Sequence, residues 1–311
     1  MLDVPDTGFR RSITVHNSSI SVVCDWIEAS LLITEEISHA QVSDILKEQE
    51  YYPQRNKDER DFVSEFAGML WMELARRERL LGDICLFQIW GKRVVRKPGW
   101  EESVASSFPL LLSCSEYYEL LRQEENYIVQ GELFEDFCCE SLRGHGWRTT
   151  RTGWASHAGA QKLANTVAAV AGAVNEHFIN NEAVELYKHE NEAGCDIVSH
   201  WEYADRWLGR PIVLAQCASG SDYQQKLGTP DIDRWRGFIT FSTIPLRGFC
   251  TPKAFNPKDF RQVSGKVNGV LIDRFRLLEP FASGESNLSD PLKNRILEWL
   301  GPRVLNLPLL N

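Results

Sequence analysis

Apolar side chains recur at helical spacing through the N-terminal part of the chain. Phe66, Leu70 and Leu74 share one face of the longest such stretch, residues 58–81, and Gly82 follows it as a stop signal. The same spacing predicts helices over residues 22–34, 43–50 and 108–121. We also predict a strand over residues 12–15, a strand or buried helix over residues 84–90 and a basic turn over residues 93–99.

The pattern changes after the acidic, polar segment 122–126. An amphipathic helix over residues 132–142 precedes a strand over residues 147–152 and an alanine-rich helix over residues 161–178. Residues 212–216 are the most apolar strand candidate, with the profile of a central strand covered on both faces. Further strands are predicted over residues 183–188, 194–199, 238–242 and 269–278, and helices over residues 222–227, 231–238 and 290–300.

This order of elements predicts an α/β protein with two domains. We expect an α-rich N-terminal domain over residues 1–125 and a second domain over residues 126–311, in which helices flank a central mixed sheet. A chain of 311 residues is long enough for both.

The composition is that of an ordinary globular protein, with 43% hydrophobic and 25% charged residues. Neither a long apolar run nor a signal-peptide apolar segment is present, so we expect a cytoplasmic protein without a membrane span. The formal net charge of −9 argues against a protein whose whole surface binds nucleic acid, although a local basic face stays compatible with it.

Eight cysteines are scattered along the chain without the paired C-x-x-C spacing of a zinc site, and we interpret them as reduced, buried, small apolar residues. A thiol nucleophile at Cys217 is disfavoured. Strand alternation turns its side chain away from the face of Gln216, and the sequence offers it no evident histidine partner.

Several oxygen ligands fall at strand and helix positions that a sheet could bring together. Asp196 is predicted to be the principal ligand of a magnesium (or manganese) ion, assisted by the Gln216 side chain and the Cys217 carbonyl. Glu135, one turn into its helix, would hold a metal-bound water or a second ion. Such a site suits phosphodiester hydrolysis, which needs an activated water and a countercharge for the leaving oxygen.

Three elements together resemble the PD-(D/E)xK nuclease superfamily, in particular its Mrr-like restriction-endonuclease branch. They are the helix with Gly131 and Glu135, the strand with Asp196, and the strand whose motif begins at Gln216. The resemblance covers roughly residues 128–278 and implies a restriction-endonuclease-like fold. It also implies that Glu135, Asp196 and Gln216 are functional residues, and that the setting is restriction or phage defence.

One position departs from the family pattern, because Ala218 stands where the motif has a lysine. A methyl group cannot orient the attacking water or offset developing negative charge. Lys226 and Lys188 are candidate replacements. We favour Lys226, because a helix that follows the central strand packs back across the sheet.

Each of these residues also has a structural interpretation. Asp196 could be a turn aspartate, and Gln216 could satisfy a buried backbone group. Glu135 could be an exposed helix residue, with Glu132 as the early-turn carboxylate. Two basic clusters could contact phosphates or simply be solvated, namely Arg143, His145, Arg148 and Arg151, and Arg234, Arg236, Arg247 and Lys253.

The leading hypothesis is a metal-dependent DNA endonuclease whose catalytic residues are Glu135, Asp196, Gln216 and Lys226. The alternative is a catalytically inactive nuclease-fold module that binds DNA or assembles a defence complex. A third, weaker hypothesis is a subunit whose N-terminal helices dock a protein that senses invading nucleic acid. The expected partners are nucleic acid, above all double-stranded DNA, and a second copy of the chain or a partner defence protein.

Overall fold

The computed structural model describes residues 1–4, 16–48, 59–97, 99–118, 121, 127–152, 163–178, 193–284 and 287–310. It divides into two compact units. Unit 1 comprises Met1–Glu124, Lys253–Asp259 and Lys293–Asn311, and unit 2 comprises Glu125–Pro252 and Phe260–Leu292. The strands predicted over residues 12–15 and 183–188 lie outside the described residues, as does Lys188.

Unit 1 combines helices with a small antiparallel sheet of order β1-β3-β2. Its elements up to residue 118 are α1 (His16–Ser30), β1 (Glu36–Ser38), α2 (His39–Glu48), α3 (Glu59–Leu81), β2 (Phe87–Trp90), β3 (Arg93–Arg96) and α4 (Val104–Cys114). The basic turn predicted over residues 93–99 was wrong, because its first four residues form the central strand of this sheet. Val94 is buried and pairs with Ile37 on one side and Ile89 on the other.

A buried ionic cluster joins the helices of unit 1. The Arg77 guanidinium on α3 donates hydrogen bonds to the carboxylates of Asp25 and Glu28 on α1, both at 2.6 Å, and to Glu73 one turn earlier at 3.1 Å. Ser113 on α4 donates to the second carboxylate oxygen of Asp25. Each charged group is therefore satisfied inside the unit, as burial of charge requires.

Unit 2 contains the larger sheet. The elements from residue 127 onward are α5 (Tyr127–Gly144), β4 (Arg148–Arg151), α6 (Leu163–Val174), β5 (His177–Phe178), β6 (Ile197–His200), β7 (Ile212–Cys217), a 3-10 turn (Tyr223–Lys226), α7 (Ile232–Phe238), β8 (Ile239–Thr240), β9 (Leu246–Cys250), α8 (Pro257–Val267), β10 (Val270–Ile272), α9 (Arg274–Ala282) and α10 (Asp290–Leu305). Of these, α8 up to Asp259 and α10 from Lys293 onward belong to unit 1. Five of the strands form a mixed sheet of order β10-β9-β7-β6-β4, flanked by helices.

The two central strands of this sheet, β6 and β7, are antiparallel, with Val198 opposite Leu214. On the side of β7 away from β6, strand β9 runs parallel to β7, and Ala215 pairs with Gly248. A β-carbon at Gly248 would lie 2.7 Å from that of Ala215, so glycine permits the close approach of these strands. The burial of β7 agrees with the prediction of a central strand from its apolar sequence.

Side-chain alternation assigns the two faces of the sheet. Val198 and Leu214 face a core that includes Val167 and Val170 of α6 and Trp235 of α7. The intervening residues of β7 face the other way, toward α5, which contacts β4, β6 and β7. The sheet therefore has α6 and α7 on one side and α5 on the other.

The strand predicted over residues 269–278 was wrong beyond Ile272. Asp273 caps a helix there, because its carboxylate accepts the backbone N–H of Arg276, and α9 follows. The helix predicted over residues 222–227 is a 3-10 turn. Among the described residues, none of the helices has both the length and the apolar character needed to cross a lipid bilayer.

Candidate metal site at the ends of two central strands

Asp196 immediately precedes β6 and is held by its backbone and its side chain. Its N–H donates to the carbonyl of Ala215 at 2.9 Å, and its own carbonyl accepts the N–H of Thr152 at 2.7 Å, so the residue continues the sheet ladder. The carboxylate Oδ2 accepts the Cys217 N–H at 2.7 Å and a hydrogen bond from Gln216 Nε2. With 4% of its surface exposed, Asp196 is a buried and oriented carboxylate.

Gln216 is 9% exposed and connects Asp196 to the chain that follows β7. Its Nε2 also donates to the Cys217 carbonyl at 3.3 Å, and its Oε1 lies 3.3 Å from the Thr229 hydroxyl oxygen. Gly194, which has φ +71°, lies against the same residues, since a β-carbon there would be 2.9 Å from Thr229 Cβ. The predicted pair Asp196 and Gln216 is thus in direct contact.

The oxygen atoms at this place are of the kind that magnesium prefers. Asp196 offers a carboxylate, Gln216 an amide oxygen and Cys217 a backbone carbonyl. The Gln216 Nε2 lies between the Asp196 and Cys217 oxygens and donates to both. A half-turn of the amide would exchange Nε2 for Oε1 and turn a third oxygen toward the other two. Carboxylate, amide and carbonyl oxygens are ligand types that suit magnesium or manganese, and an ion among them would need the three to move apart from their present contacts.

Glu135 lies on α5, on the other side of the sheet from the Gln216 side chain. It is buried, and its Oε2 is 3.8 Å from the Arg151 guanidinium. Arg151 is paired with Ile197 in the sheet, so it shares the α5 face, and it also contacts Asp136 at 3.2 Å. The structure thus places Glu135 in an ion-paired environment, not at an exposed helix position.

Ala218, which stands in place of the motif lysine, and Lys226, its predicted replacement, both follow the end of β7. Ala218 is buried, and its N–H donates to the Cys250 carbonyl at 2.9 Å. The Lys226 side chain is 43% exposed, with Nζ 3.2 Å from Asp222. Its carbonyl accepts the hydroxyl of Thr229, the residue that also contacts Gln216. The Thr229 hydroxyl has one proton, and its shorter contact, at 2.6 Å, is the one to the Lys226 carbonyl, so Thr229 lies between the Lys226 backbone and Gln216.

Sequence reasoning missed a cluster of three thiols. The sulfur atoms of Cys138 on α5, Cys217 on β7 and Cys250 on β9 lie within 4.8 Å of one another. Burial raises the pKa of the Cys138 and Cys217 thiols, whereas hydrogen bonds from these two residues lower the pKa of Cys250. All eight cysteines are free thiols, and all but Cys217 are buried. In the sequence, only the position of Cys217 at the C-terminal end of an apolar strand set it apart. Nothing there connected it with Cys138 or Cys250.

The loop after β6 presents aromatic and basic side chains to solvent. Trp207 is 76% exposed, and Trp201 and Tyr203 are also exposed. A polar depression beside them is lined by Arg148, Ala173, Asn175, His200, Glu202, Arg206 and Arg210. Burial, followed by the charge of Arg210, lowers the pKa of His200. This loop was not identified as functional from the sequence.

The first predicted basic cluster is largely engaged within unit 2. Arg143 donates to the Thr149 carbonyl at 2.8 Å, and Arg148 to Glu202 at 2.6 Å. His145 contacts the Arg276 carbonyl at the edge of an apolar cavity of about 280 Å³ between α5, α9 and the sheet. The Arg148 side chain is 70% exposed.

Comparison of the chain with protein-family models, with curated proteins and with solved structures found no match.

Proposed function

We propose that unit 2 is a metal-dependent nuclease that hydrolyses phosphodiester bonds of DNA, with Asp196, Gln216 and the Cys217 carbonyl as its metal ligands. The observation that carries the proposal is the direct contact between Asp196 and Gln216 at the ends of adjacent strands. The resemblance to PD-(D/E)xK nucleases adds support, and it implies restriction or phage defence as the biological setting.

The residues of the chain would prepare the site in three ways. The Cys217 N–H orients the Asp196 carboxylate. The Thr229 hydroxyl oxygen lies 3.3 Å from the Gln216 amide and would accept its N–H once the amide turns Oε1 toward Asp196. Burial of both side chains limits competition from bulk water. A bound magnesium ion would supply an activated water and a countercharge for the leaving oxygen.

Lys226 is our candidate for the positive charge that Ala218 lacks. Its side chain now pairs with Asp222, but that pair is exposed and therefore contributes little stability. Rotation of this four-carbon side chain, whose backbone carbonyl accepts the hydroxyl of the Gln216 neighbour Thr229, would redirect the ammonium at small cost. Glu135 pairs with Arg151 on the α5 face, across the sheet from Gln216, so we assign it neither a metal-bound water nor a second ion at this site.

The loop after β6 supports nucleic acid as the substrate class. Arg206 and Arg148 provide positive charge, and Trp207 provides an exposed ring on which a base can stack. The four residues of β6 separate this loop from Asp196, which puts the start of the loop about 16 Å away at the rise of a strand. A backbone of a few nucleotides could span that distance.

Incubation of the purified full-length chain with plasmid DNA and magnesium or manganese tests the proposal. We expect cleavage that a chelator abolishes. Asp196→Asn, which removes the charge but keeps the shape, should lower the rate by about 100-fold or more, and Lys226→Ala by at least about tenfold. Asp233→Asn, an exposed carboxylate on α7, is the matched control and should cut normally.

A second candidate function is favoured by the buried Ala218 and by the ion pair of Lys226 with Asp222. It is a nuclease fold without catalysis that binds DNA or assembles a defence complex. Absence of cutting with either metal, together with salt-sensitive DNA binding by both the wild type and Asp196→Asn, would reject the enzyme and support this module. Normal cutting by Lys226→Ala would reject only the role of Lys226 and leave the rest of the proposed site in place.

A further inference from the structure

Three cysteine side chains from three separate elements converge beneath the end of the central strand. Cys217 and Cys250 are paired in the parallel register of β7 and β9, so their side chains project from the same face. Cys138 reaches them from α5, the helix that covers this face. All three sulfurs lie within 4.8 Å of one another, and Cys138 and Cys250 are completely buried.

This spacing is close to that of a thiolate metal site. Zinc binds cysteine sulfur at about 2.3 Å, which puts two sulfurs of one tetrahedral or trigonal site about 3.8 to 4.0 Å apart. A group already held within 4.8 Å reaches that geometry through side-chain rotation, without movement of the sheet. The chain needs no C-x-x-C motif for this arrangement, because strand pairing and helix packing supply the proximity.

We propose that Cys138, Cys217 and Cys250 bind one Zn²⁺ ion. Thiolates are soft ligands that favour zinc over magnesium, so this site is chemically distinct from the oxygen ligands around Asp196. Cys217 is the partly exposed residue of the three, so an ion and a fourth, external ligand would enter on its side. The ion would join α5 to β7 and β9.

The zinc site would also act on the neighbouring end of β7. The backbone N–H of Cys217 donates to Asp196 while its side chain points into the thiol cluster. A metal that fixes Cys217 therefore fixes the donor that orients this carboxylate, as outer-shell groups commonly do. The inference stands independently of nuclease activity, since an inactive fold would retain the same three sulfurs.

Cobalt titration of the full-length chain, made metal-free under reducing conditions, tests the site. We expect the intense thiolate-to-cobalt charge-transfer absorption to saturate at one ion per chain and to disappear on addition of Zn²⁺. Cys138→Ser and Cys250→Ser should abolish it. Cys139→Ser is the matched control, because Cys139 is the adjacent, buried residue of the same helix and lies outside the cluster.

X-ray absorption on the zinc-loaded wild type removes any ambiguity from variants that fail to fold. The expected result is three sulfur neighbours at about 2.3 Å from the zinc. A zinc shell of nitrogen and oxygen atoms, or no charge-transfer absorption with Co²⁺, would overturn the proposal and leave the thiols as packed core residues. Retention of the cobalt signal by Asp196→Asn would separate this site from the proposed magnesium site.

Discussion

The backbone N–H of Cys217 donates a 2.7 Å hydrogen bond to the carboxylate of Asp196, across two adjacent antiparallel strands. The side chain of the same cysteine points to the α5 face of the sheet, opposite to the face of Gln216, and there it meets Cys138 and Cys250. One residue thus joins an oxygen-rich site to a sulfur-rich site. A substitution on one face of the sheet should therefore alter the geometry of the site on the other face through this strand end.

Gly194→Ala should destabilise unit 2. Gly194 has φ +71°, a conformation that costs a residue with a side chain about 1–2 kcal/mol, and the new methyl group would meet Thr229 at 2.9 Å. The midpoint of urea unfolding, followed by tryptophan fluorescence, should fall. Gly237→Ala on α7 is the control, because its β-carbon meets nothing within 4 Å and alanine favours a helix. Equal midpoints for the two variants would contradict this prediction.

Arg77→Ala should destabilise unit 1 by about 3–5 kcal/mol, because it takes the Arg77 cation from the buried carboxylates of Asp25 and Glu28, whereas Glu73 keeps its ion pair with Arg76. Chemical denaturation with urea measures the loss. Arg79→Ala, at an exposed position of the same helix, should stay within about 0.5 kcal/mol of the wild type. A similar, small effect of both substitutions would show that the buried cluster is not stabilising.

His200 should make stability fall at acidic pH. Burial and Arg210 lower its pKa in the folded chain, so the folded state favours neutral imidazole and the unfolded state binds the proton more readily. This contribution is fully present above the ordinary histidine pKa of about 6.5 and is lost as the pH falls toward the folded-state value. Thermal unfolding between about pH 7.5 and pH 5.5 measures it.

His200→Gln should flatten that pH profile, whereas His177→Gln, at an exposed position, should leave it unchanged. A wild-type profile that His200→Gln does not alter would assign the acid sensitivity to other groups.

Trp207→Ala should weaken nucleic-acid binding if the loop after β6 contacts the substrate. Loss of one base-stacking ring corresponds to about 1–3 kcal/mol, or roughly a 5- to 150-fold rise in Kd. Fluorescence anisotropy with a labelled duplex that carries a single-stranded end measures the change at fixed salt. Trp90→Ala, an exposed tryptophan of unit 1, is the control. Equal Kd values for the two variants would remove the loop from the proposed interface.

The pattern of apolar residues by itself determined the local elements of this protein. Helical spacing predicted α3 to within one residue, and an uninterrupted apolar run predicted the buried strand β7. Those features depend on residues that are neighbours along the chain, so their signal is contained in short windows of sequence. The sequence also indicated that Asp196 and Gln216 would lie on neighbouring strands.

The tertiary structure alone decided which distant residues meet. It made a central strand of Arg93–Arg96 because β1 and β2 supply hydrogen-bonding partners on both sides, and it ended β10 at Ile272 because Asp273 caps a helix. It placed Glu135 and Gln216 on opposite faces of the sheet, and it gathered Cys138 with Cys217 and Cys250. Strand register and helix docking set these distances, and neither leaves a periodic trace in the sequence.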